Sequence, residues 1–94
     1  DLCESIYIET KKFPDKEKYG LVSQIRRAAV SVSSNIAEGA ARSTDNDFLR
    51  FLYYSLGSLT ELETQIILSK RLKFIEDNRL LLTELNSVKK LLSV

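Results

Sequence analysis

Apolar side chains recur at steps of three and four residues between positions 21 and 39, and this spacing constrains the fold more than any other feature of the chain. Such steps keep side chains on one face of an α-helix with 3.6 residues per turn. The face is expected to lie in the core and comprises Leu21, Ile25, Ala28, Val32, Ile36 and Gly39. The pattern predicts a long, packed helix that begins at Leu21 and ends near Ala41 or Arg42.

A polar series runs along the flank of this predicted helix at similar steps. Its members are Gln24, Arg27, Ser31, Asn35, Glu38 and Arg42. Glu38 and Arg42 have the spacing and order of a helical ion pair, worth roughly 0.2–0.5 kcal/mol when exposed. A polar flank of this kind can form hydrogen bonds to a neighbouring subunit. We therefore expect these six residues to form an oligomer interface, with a ligand site as the alternative.

Two further helices are predicted on either side of this one. The first carries Leu2 and Ile6 on its apolar face and ends before Pro14, because a proline disfavours helical geometry in the residue before it. The other begins in the segment 43–47, whose hydroxyl and carboxylate groups can accept hydrogen bonds from free helix amides. Its apolar periodicity continues to about Leu72.

A fourth helix is predicted to begin after Asp77 or Asn78. Its apolar seam consists of Leu81, Leu85, Val88 and Leu92. Four amphipathic helices with short connections are typical of helical bundles. The sequence thus predicts an all-α fold, an antiparallel up-down-up-down four-helix bundle, in a single domain over residues 1–94.

The chain lacks the side chains that many active sites require. It contains no histidine and one cysteine, Cys3, which excludes an intrachain disulfide, a Cys/His zinc site and a Ser-His-Asp triad. A di-iron bundle site is excluded because it needs Glu-x-x-His pairs, and no glycine-rich phosphate loop is present. We expect a protein that is not an enzyme and that holds no metal or cofactor.

Size and hydropathy suggest where and how such a chain works. No apolar run reaches the ~18–20 residues that a membrane-spanning helix needs, so we expect no membrane contact and a cytoplasmic location. A domain of this size buries only about 60–65% of the surface of its unfolded chain, which favours oligomerisation. Because the sequence begins at Asp1 and contains no methionine, we expect further residues upstream in the complete protein.

The predicted third helix has more apolar surface than one core-facing stripe can hold. The apolar residues near its start are Phe48, Leu49, Phe51, Leu52, Tyr53, Tyr54 and Leu56. We expect Tyr53 and Tyr54 to enter the oligomer interface; the alternative is that both rings lie on the free surface. Gly57 and Ser58 follow directly, and a glycine inside a helix costs about 1 kcal/mol relative to alanine. We therefore expect Gly57 to allow close helix packing.

Glu63 falls within the apolar stripe of the same helix, as judged by its spacing from Phe48, Leu52, Leu59 and Ile66. A carboxylate in such a position needs a partner. The candidate partners on the second helix are Arg26, Arg27 and Arg42.

Positive charge is concentrated in residues 11–27 and 70–79, although the net charge is only +1. In an up-down-up-down bundle the connections that contain these segments lie at the same end, so we expect a basic pole. The candidate nucleic-acid-binding residues of this basic pole are Lys11, Lys12, Lys16, Lys18, Lys70, Arg71 and Lys73. In a ring of subunits their charges would add up and attract a phosphate backbone. Alternatively, some of these cations only interact with the negative ends of helix dipoles, and each such interaction contributes about 0.3–1 kcal/mol.

Several short motifs in this chain resemble those of one bacterial family. They are Phe13-Pro14, Tyr19-Gly20-Leu21, residues 24–29 and 34–39, Arg42, and residues 48–52 and 57–63. Through them the chain resembles the four-helix bundle proteins known as S23 ribosomal proteins or 23S rRNA intervening-sequence proteins. The resemblance implies a left-handed antiparallel bundle that assembles into a homo-oligomeric ring, a pentamer. Some relatives are encoded within intervening sequences of the large ribosomal RNA gene.

Two functions are compatible with these features. The first is a non-enzymatic, homo-oligomeric binding or scaffold module that holds RNA or a ribonucleoprotein through the basic pole. The second is a protein–protein adaptor for a nucleic-acid enzyme, because more distant proteins that resemble this family are accessory proteins of reverse transcriptases. Binding to nucleic acid that weakens steeply with salt would favour the first, and salt-insensitive binding to a protein the second.

Overall fold

The computed structural model of the chain describes residues 1–92, most of which lie in four α-helices. The helices are α1 (Leu2–Thr10), α2 (Leu21–Ala40), α3 (Asp45–Arg71) and α4 (Arg79–Leu92). A 3₁₀ turn, Asp15–Glu17, lies between α1 and α2. Residues 1–92 contain no strand, and none of the helices there is long and apolar enough to cross a membrane. The predicted all-α class is confirmed.

The starts of α3 and α4 follow the capping residues in the sequence. The Thr44 hydroxyl accepts a hydrogen bond from the Asp47 N–H over 3.2 Å. The Asp77 carboxylate accepts one from the Arg79 N–H over 2.9 Å. These bonds satisfy amides that have no acceptor inside their own helix. The predicted starts of the third and fourth helices are therefore confirmed.

One hydrophobic core joins all four helices. The most extensive interface is that of α2 with α3, while α1 packs against α2 and α4, and α4 packs against α3. The buried apolar residues are Leu2, Ile6, Phe13, Val22, Ile25, Ala28, Ala29, Val32, Leu59, Leu62, Ile66, Ile75, Leu81, Leu85 and Leu92. The predicted core residues Leu21 and Ile36 are only partly buried at its edge, and Val22 and Ala29 lie in the core beside the predicted series.

Gly39 lies at a place where α2 packs closely against α3. A Cβ atom at this position would lie 2.9 Å from Phe51 Cβ and 3.3 Å from the Phe48 carbonyl oxygen. Neither atom can move by a side-chain rotation. The glycine is therefore required by the packing of the two helices, as its predicted place on the core face suggests.

The polar side chains that α3 buries are Ser55, Gln65 and Ser69, and Glu63 is not among them. Gln65 is 7% exposed and its Oε1 atom has no hydrogen-bond partner, whereas Glu63 is only partly buried and belongs to none of the ion pairs found within residues 1–92. The expectation of a buried, paired Glu63 is wrong because position 63 lies at the edge of the stripe that contains Leu59 and Ile66 and is only partly buried there. The inward face is set by residues such as Leu62 and Ile66, and position 63 lies about 100° away from Leu62.

Candidate functional site

The two basic segments of the chain meet at one end of the bundle. The rings of Phe13, after α1, and Phe74, after α3, contact each other with their centroids 5.4 Å apart. This contact brings the two connections side by side. All seven predicted residues of the basic pole are exposed, as expected for groups that contact a ligand in solution: Lys11, Lys12, Lys16, Lys18, Lys70, Arg71 and Lys73.

One cavity at the basic pole, of about 710 Å³, has a lining of mixed charge. It contains Lys12, Lys70 and Lys73, together with the carboxylates Glu9, Glu76 and Asp77. Lys12 Nζ lies 3.3 Å from a Glu9 carboxylate oxygen. Hydrogen bonds from the Arg79 guanidinium and backbone lower the pKa of Asp77 to about 2, so its carboxylate is ionised at neutral pH. The carboxylates offset much of the positive charge inside this cavity.

A second cavity at the basic pole, of about 210 Å³, lies beside the connection from α1 to α2. Lys11 and Lys18 line it together with Arg26, and Asp15 is the one carboxylate in the lining. Lys16 and Arg71 line neither of these two cavities. The structure thus divides five of the seven predicted cations between two neighbouring depressions.

Lys73 lies two residues after the end of α3 and has a left-handed backbone conformation, with φ of 65°. Its N–H donates to the Lys70 carbonyl over 3.0 Å, and the Phe74 N–H donates to the Ser69 carbonyl over 2.9 Å. This is a helix C-terminus at which glycine is the usual residue, because a Cβ atom in the left-handed region costs roughly 1–2 kcal/mol. Lys73, with this strained backbone conformation, is one of the exposed cations of the basic pole.

The predicted polar series on α2 is used partly within the chain. Ser31 Oγ accepts a hydrogen bond from Ser58 Oγ of α3 over 2.9 Å, and Asn35 Nδ2 donates to the Ser31 carbonyl over 2.9 Å. Gln24 and Arg27 line a cavity of about 500 Å³ with Ser31, Ser58 and Glu61. The series therefore follows the boundary between α2 and α3.

Glu38 and Arg42, at the end of the series, form the predicted ion pair over 3.6 Å. The Arg42 guanidinium also lies 4.6 Å from the centroid of the Phe51 ring. Both side chains are exposed, which leaves them available to a second subunit. An oligomer interface along this series stays a prediction.

Comparison with protein families identifies the chain. The model of the 23S rRNA-intervening sequence protein family matches residues 1–94, which is the whole chain. The chain belongs to this family. Comparison with curated proteins finds no match.

The outer face of α3 in this member of the intervening-sequence family carries the two predicted interface tyrosines. Tyr53 is 66% exposed, and Tyr54 is half-exposed, with its ring nearly perpendicular to that of Phe51 at a centroid distance of 5.4 Å. A Cβ atom at Gly57 would have nothing within 4 Å. Within one subunit, Gly57 therefore has no close packing to account for it.

Arg26 is a residue whose role the sequence did not reveal. It was expected to pair with Glu63, but its Nε atom donates to Thr10 Oγ1 over 2.9 Å and its guanidinium lies 4.6 Å from the centroid of the Tyr7 ring. Both partners belong to α1. Tyr7 and Thr10 lie in residues 1–10, outside the two basic segments, so the charge pattern of the sequence did not point to them.

Proposed function

We propose that this protein is a non-enzymatic, homo-oligomeric binding module of the cytoplasm that holds RNA, alone or in a ribonucleoprotein, through its basic pole. The convergence of two basic segments across the Phe13–Phe74 contact carries the proposal. Of the seven cations, Lys12 is the one that takes part in an ion pair within residues 1–92. The description of the family as a 23S rRNA-intervening sequence protein adds support for RNA as the ligand.

The proposal includes an antiparallel arrangement of the helices and a closed ring of subunits, a pentamer. Ile8 and Glu9 near the end of α1 share a cavity with Leu80 and Leu81 at the start of α4, which supports opposite directions for these two helices. The polar series on α2 and the exposed tyrosines of α3 would form the contacts between subunits. In a ring with all poles on one side, each subunit adds its cations to the same surface, which strengthens phosphate binding by counterion release.

RNA binding is tested by fluorescence anisotropy with labelled structured RNA, single-stranded RNA and DNA over a range of salt concentrations. The variant Lys11→Gln/Lys12→Gln removes two cations of the basic pole. We expect weaker binding and a salt slope reduced by roughly 0.7–0.9 for each phosphate that the variant no longer neutralises. Unchanged affinity and slope in this variant would exclude Lys11 and Lys12 from the binding surface.

The matched control is Lys89→Gln/Lys90→Gln, which removes two adjacent lysines in the last turn of α4. These residues lie about 15 Å along the helix from Arg79, because each helical residue advances by 1.5 Å. We expect the control to bind RNA with the affinity of the unaltered protein. If neither the protein nor its variants bind any RNA at low salt, the proposed RNA-binding function is wrong.

Assembly is tested with Arg42→Ala, which removes the ion pair with Glu38 and the contact with the Phe51 ring. Sedimentation velocity measures the mass of the particle. We expect the unaltered protein to sediment as an oligomer and Arg42→Ala to shift it toward smaller species. An unchanged mass and an unchanged melting temperature would mean that the polar series forms no subunit contact.

The second candidate is a protein–protein adaptor for a nucleic-acid enzyme such as a reverse transcriptase. The mixed charge of the 710 Å³ cavity favours it, since Glu9, Glu76 and Asp77 would repel a phosphate backbone and suit a partner with both signs of charge. An adaptor predicts binding to a protein that changes little with salt, and no RNA binding by the isolated ring.

A further inference from the structure

A groove between α1 and α2 combines cations with exposed aromatic rings. We call it the α1–α2 groove; it has a volume of about 600 Å³, and its lining includes Tyr7, Lys18, Tyr19, Arg26, Arg27 and Val30. Of these residues, only Lys18 belongs to the basic pole. The groove is therefore a separate surface that adjoins the basic pole at Lys18.

The charge in the α1–α2 groove has one sign. Its lining contains Lys18, Arg26 and Arg27 and no carboxylate. None of these three cations takes part in an ion pair within residues 1–92. The 710 Å³ cavity, by contrast, has as many carboxylates as cations. The groove is thus the better site for a ligand that carries repeated negative charge.

Arg26 is held in place before any ligand arrives. Its Nε atom donates to Thr10 Oγ1 over 2.9 Å, and Nη2 donates to the Tyr7 carbonyl over 3.5 Å. Thr10 is itself buried and donates to the Ile6 carbonyl over 2.7 Å. A guanidinium has five N–H donors, so several remain for a phosphate. A side chain ordered in advance loses little freedom when a ligand binds.

Two aromatic rings line the groove, and Tyr19 is the more open of the two. Tyr19 is 88% exposed and Tyr7 is 38% exposed. Lys18 Nζ lies 5.6 Å from the Tyr19 ring centroid, and the Arg26 guanidinium lies on the Tyr7 ring. Rings beside unpaired cations are the arrangement that binds single-stranded nucleic acids, in which bases stack on the rings while phosphates contact the cations. The bases of a duplex are already stacked on each other and cannot use the rings.

We propose that the α1–α2 groove binds a single-stranded segment of RNA, with a base stacked on Tyr19 and phosphates held by Lys18 and Arg26. The inference rests on the proposed RNA-binding function and refines it. A duplex region would meet the basic pole, while an unpaired segment beside it would enter the groove.

The test compares two labelled RNAs of equal length, an unpaired 12-nucleotide strand and a duplex, by fluorescence anisotropy at fixed salt. Tyr19→Ala removes the exposed ring and disturbs no core contact. We expect it to weaken binding of the single strand at least about fivefold, the lower end of what one base–ring stack contributes. Its affinity for the duplex should stay within twofold of the unaltered protein.

Two further variants control for the ring and for the loss of exposed apolar surface. Tyr19→Phe keeps the ring and is expected to retain the affinity for the single strand. Leu91→Ala truncates a side chain that is 84% exposed on α4 and should change neither affinity. The inference is overturned if Tyr19→Ala binds the single strand as well as Leu91→Ala does.

The outcomes separate this inference from the function on which it rests. If the protein binds RNA and Lys11→Gln/Lys12→Gln weakens that binding while Tyr19→Ala does not, the RNA-binding function stands and the groove is not its site. If the protein binds neither RNA at low salt, both proposals fail. A preference for an acidic peptide over the single strand would also overturn the groove proposal.

Discussion

Replacing Gly39 by alanine tests the close approach of α2 and α3. In an open helix this change stabilises by about 1 kcal/mol, because alanine restricts the unfolded chain and has the higher helix propensity. At Gly39 the new methyl group would lie 2.9 Å from Phe51 Cβ and 3.1 Å from Phe48 Cδ1. Phe51 Cβ is fixed to the backbone of α3, so the two helices must move apart to admit it.

The net change in the free energy of unfolding depends on two opposing contributions, the gain in helix propensity and the cost of overpacking. Overpacking of a well-packed interface costs typically about 1–3 kcal/mol, which exceeds or cancels the gain in propensity. We expect Gly39→Ala to lower the free energy of unfolding by up to about 2 kcal/mol. For a domain of this size, a change of 1 kcal/mol moves the melting temperature by about 4–8 °C.

Gly57→Ala is the matched control, because Gly57 lies in the middle of α3 and its Cβ would have nothing within 4 Å. In a single subunit it should stabilise the helix by about 1 kcal/mol. Urea unfolding followed by circular dichroism at 222 nm measures both variants. If Gly39→Ala unfolds at the same urea concentration as Gly57→Ala, the methyl group meets no obstacle and the reasoning about close approach is refuted.

Three further predictions concern single contacts. Lys73→Gly should raise the free energy of unfolding by about 1 kcal/mol in thermal melts, because glycine adopts the φ of 65° without strain; a lower melting temperature would contradict this. Asp77 has a pKa lowered to about 2 by the hydrogen bonds from Arg79, so its contribution to stability is present above the unfolded-state pKa near 4 and is lost as the pH falls toward 2. The urea midpoint should therefore differ less between pH 6 and pH 2 in Asp77→Asn than in the unaltered protein. An equal difference in both proteins would show that the Asp77–Arg79 pair adds no stability. Ser31→Ala and Ser58→Ala remove the two ends of one hydrogen bond of 2.9 Å, so a double-mutant cycle should give a coupling energy of about 0.5–1.5 kcal/mol, and additive effects would show that the bond contributes nothing.

The helices could be predicted from the sequence because their signals are local. Pro14 follows the end of α1. The Thr44 and Asp77 side chains cap α3 and α4 by accepting hydrogen bonds from backbone amides three and two positions further along the chain. Each of these signals acts within one helical turn. The convergence of the basic segments also followed, since it requires only four helices and short connections.

The inward face of α3 and the partner of Arg26 could not be predicted in the same way. Periodicity places Glu63 beside Leu59 and Ile66, but it does not state how wide the buried part of the stripe is, and position 63 falls at its edge. The bond from Arg26 to Thr10 joins α1 to α2, and it depends on how the two helices are rotated against each other. That rotation is fixed by the packing of the whole core and is not encoded in either segment alone.

The connection between α2 and α3 has a consequence for the speed of folding. Only residues 41–44 separate the two helices that share the most extensive interface of the molecule. Closing so short a loop loses little chain entropy, and contacts between neighbours in sequence form early. We expect the α2–α3 hairpin to form in the transition state, so that Gly39→Ala slows refolding in stopped-flow measurements more than it accelerates unfolding. The close packing at Gly39 would then affect the rate of folding as well as the stability, because it is completed before α1 and α4 dock.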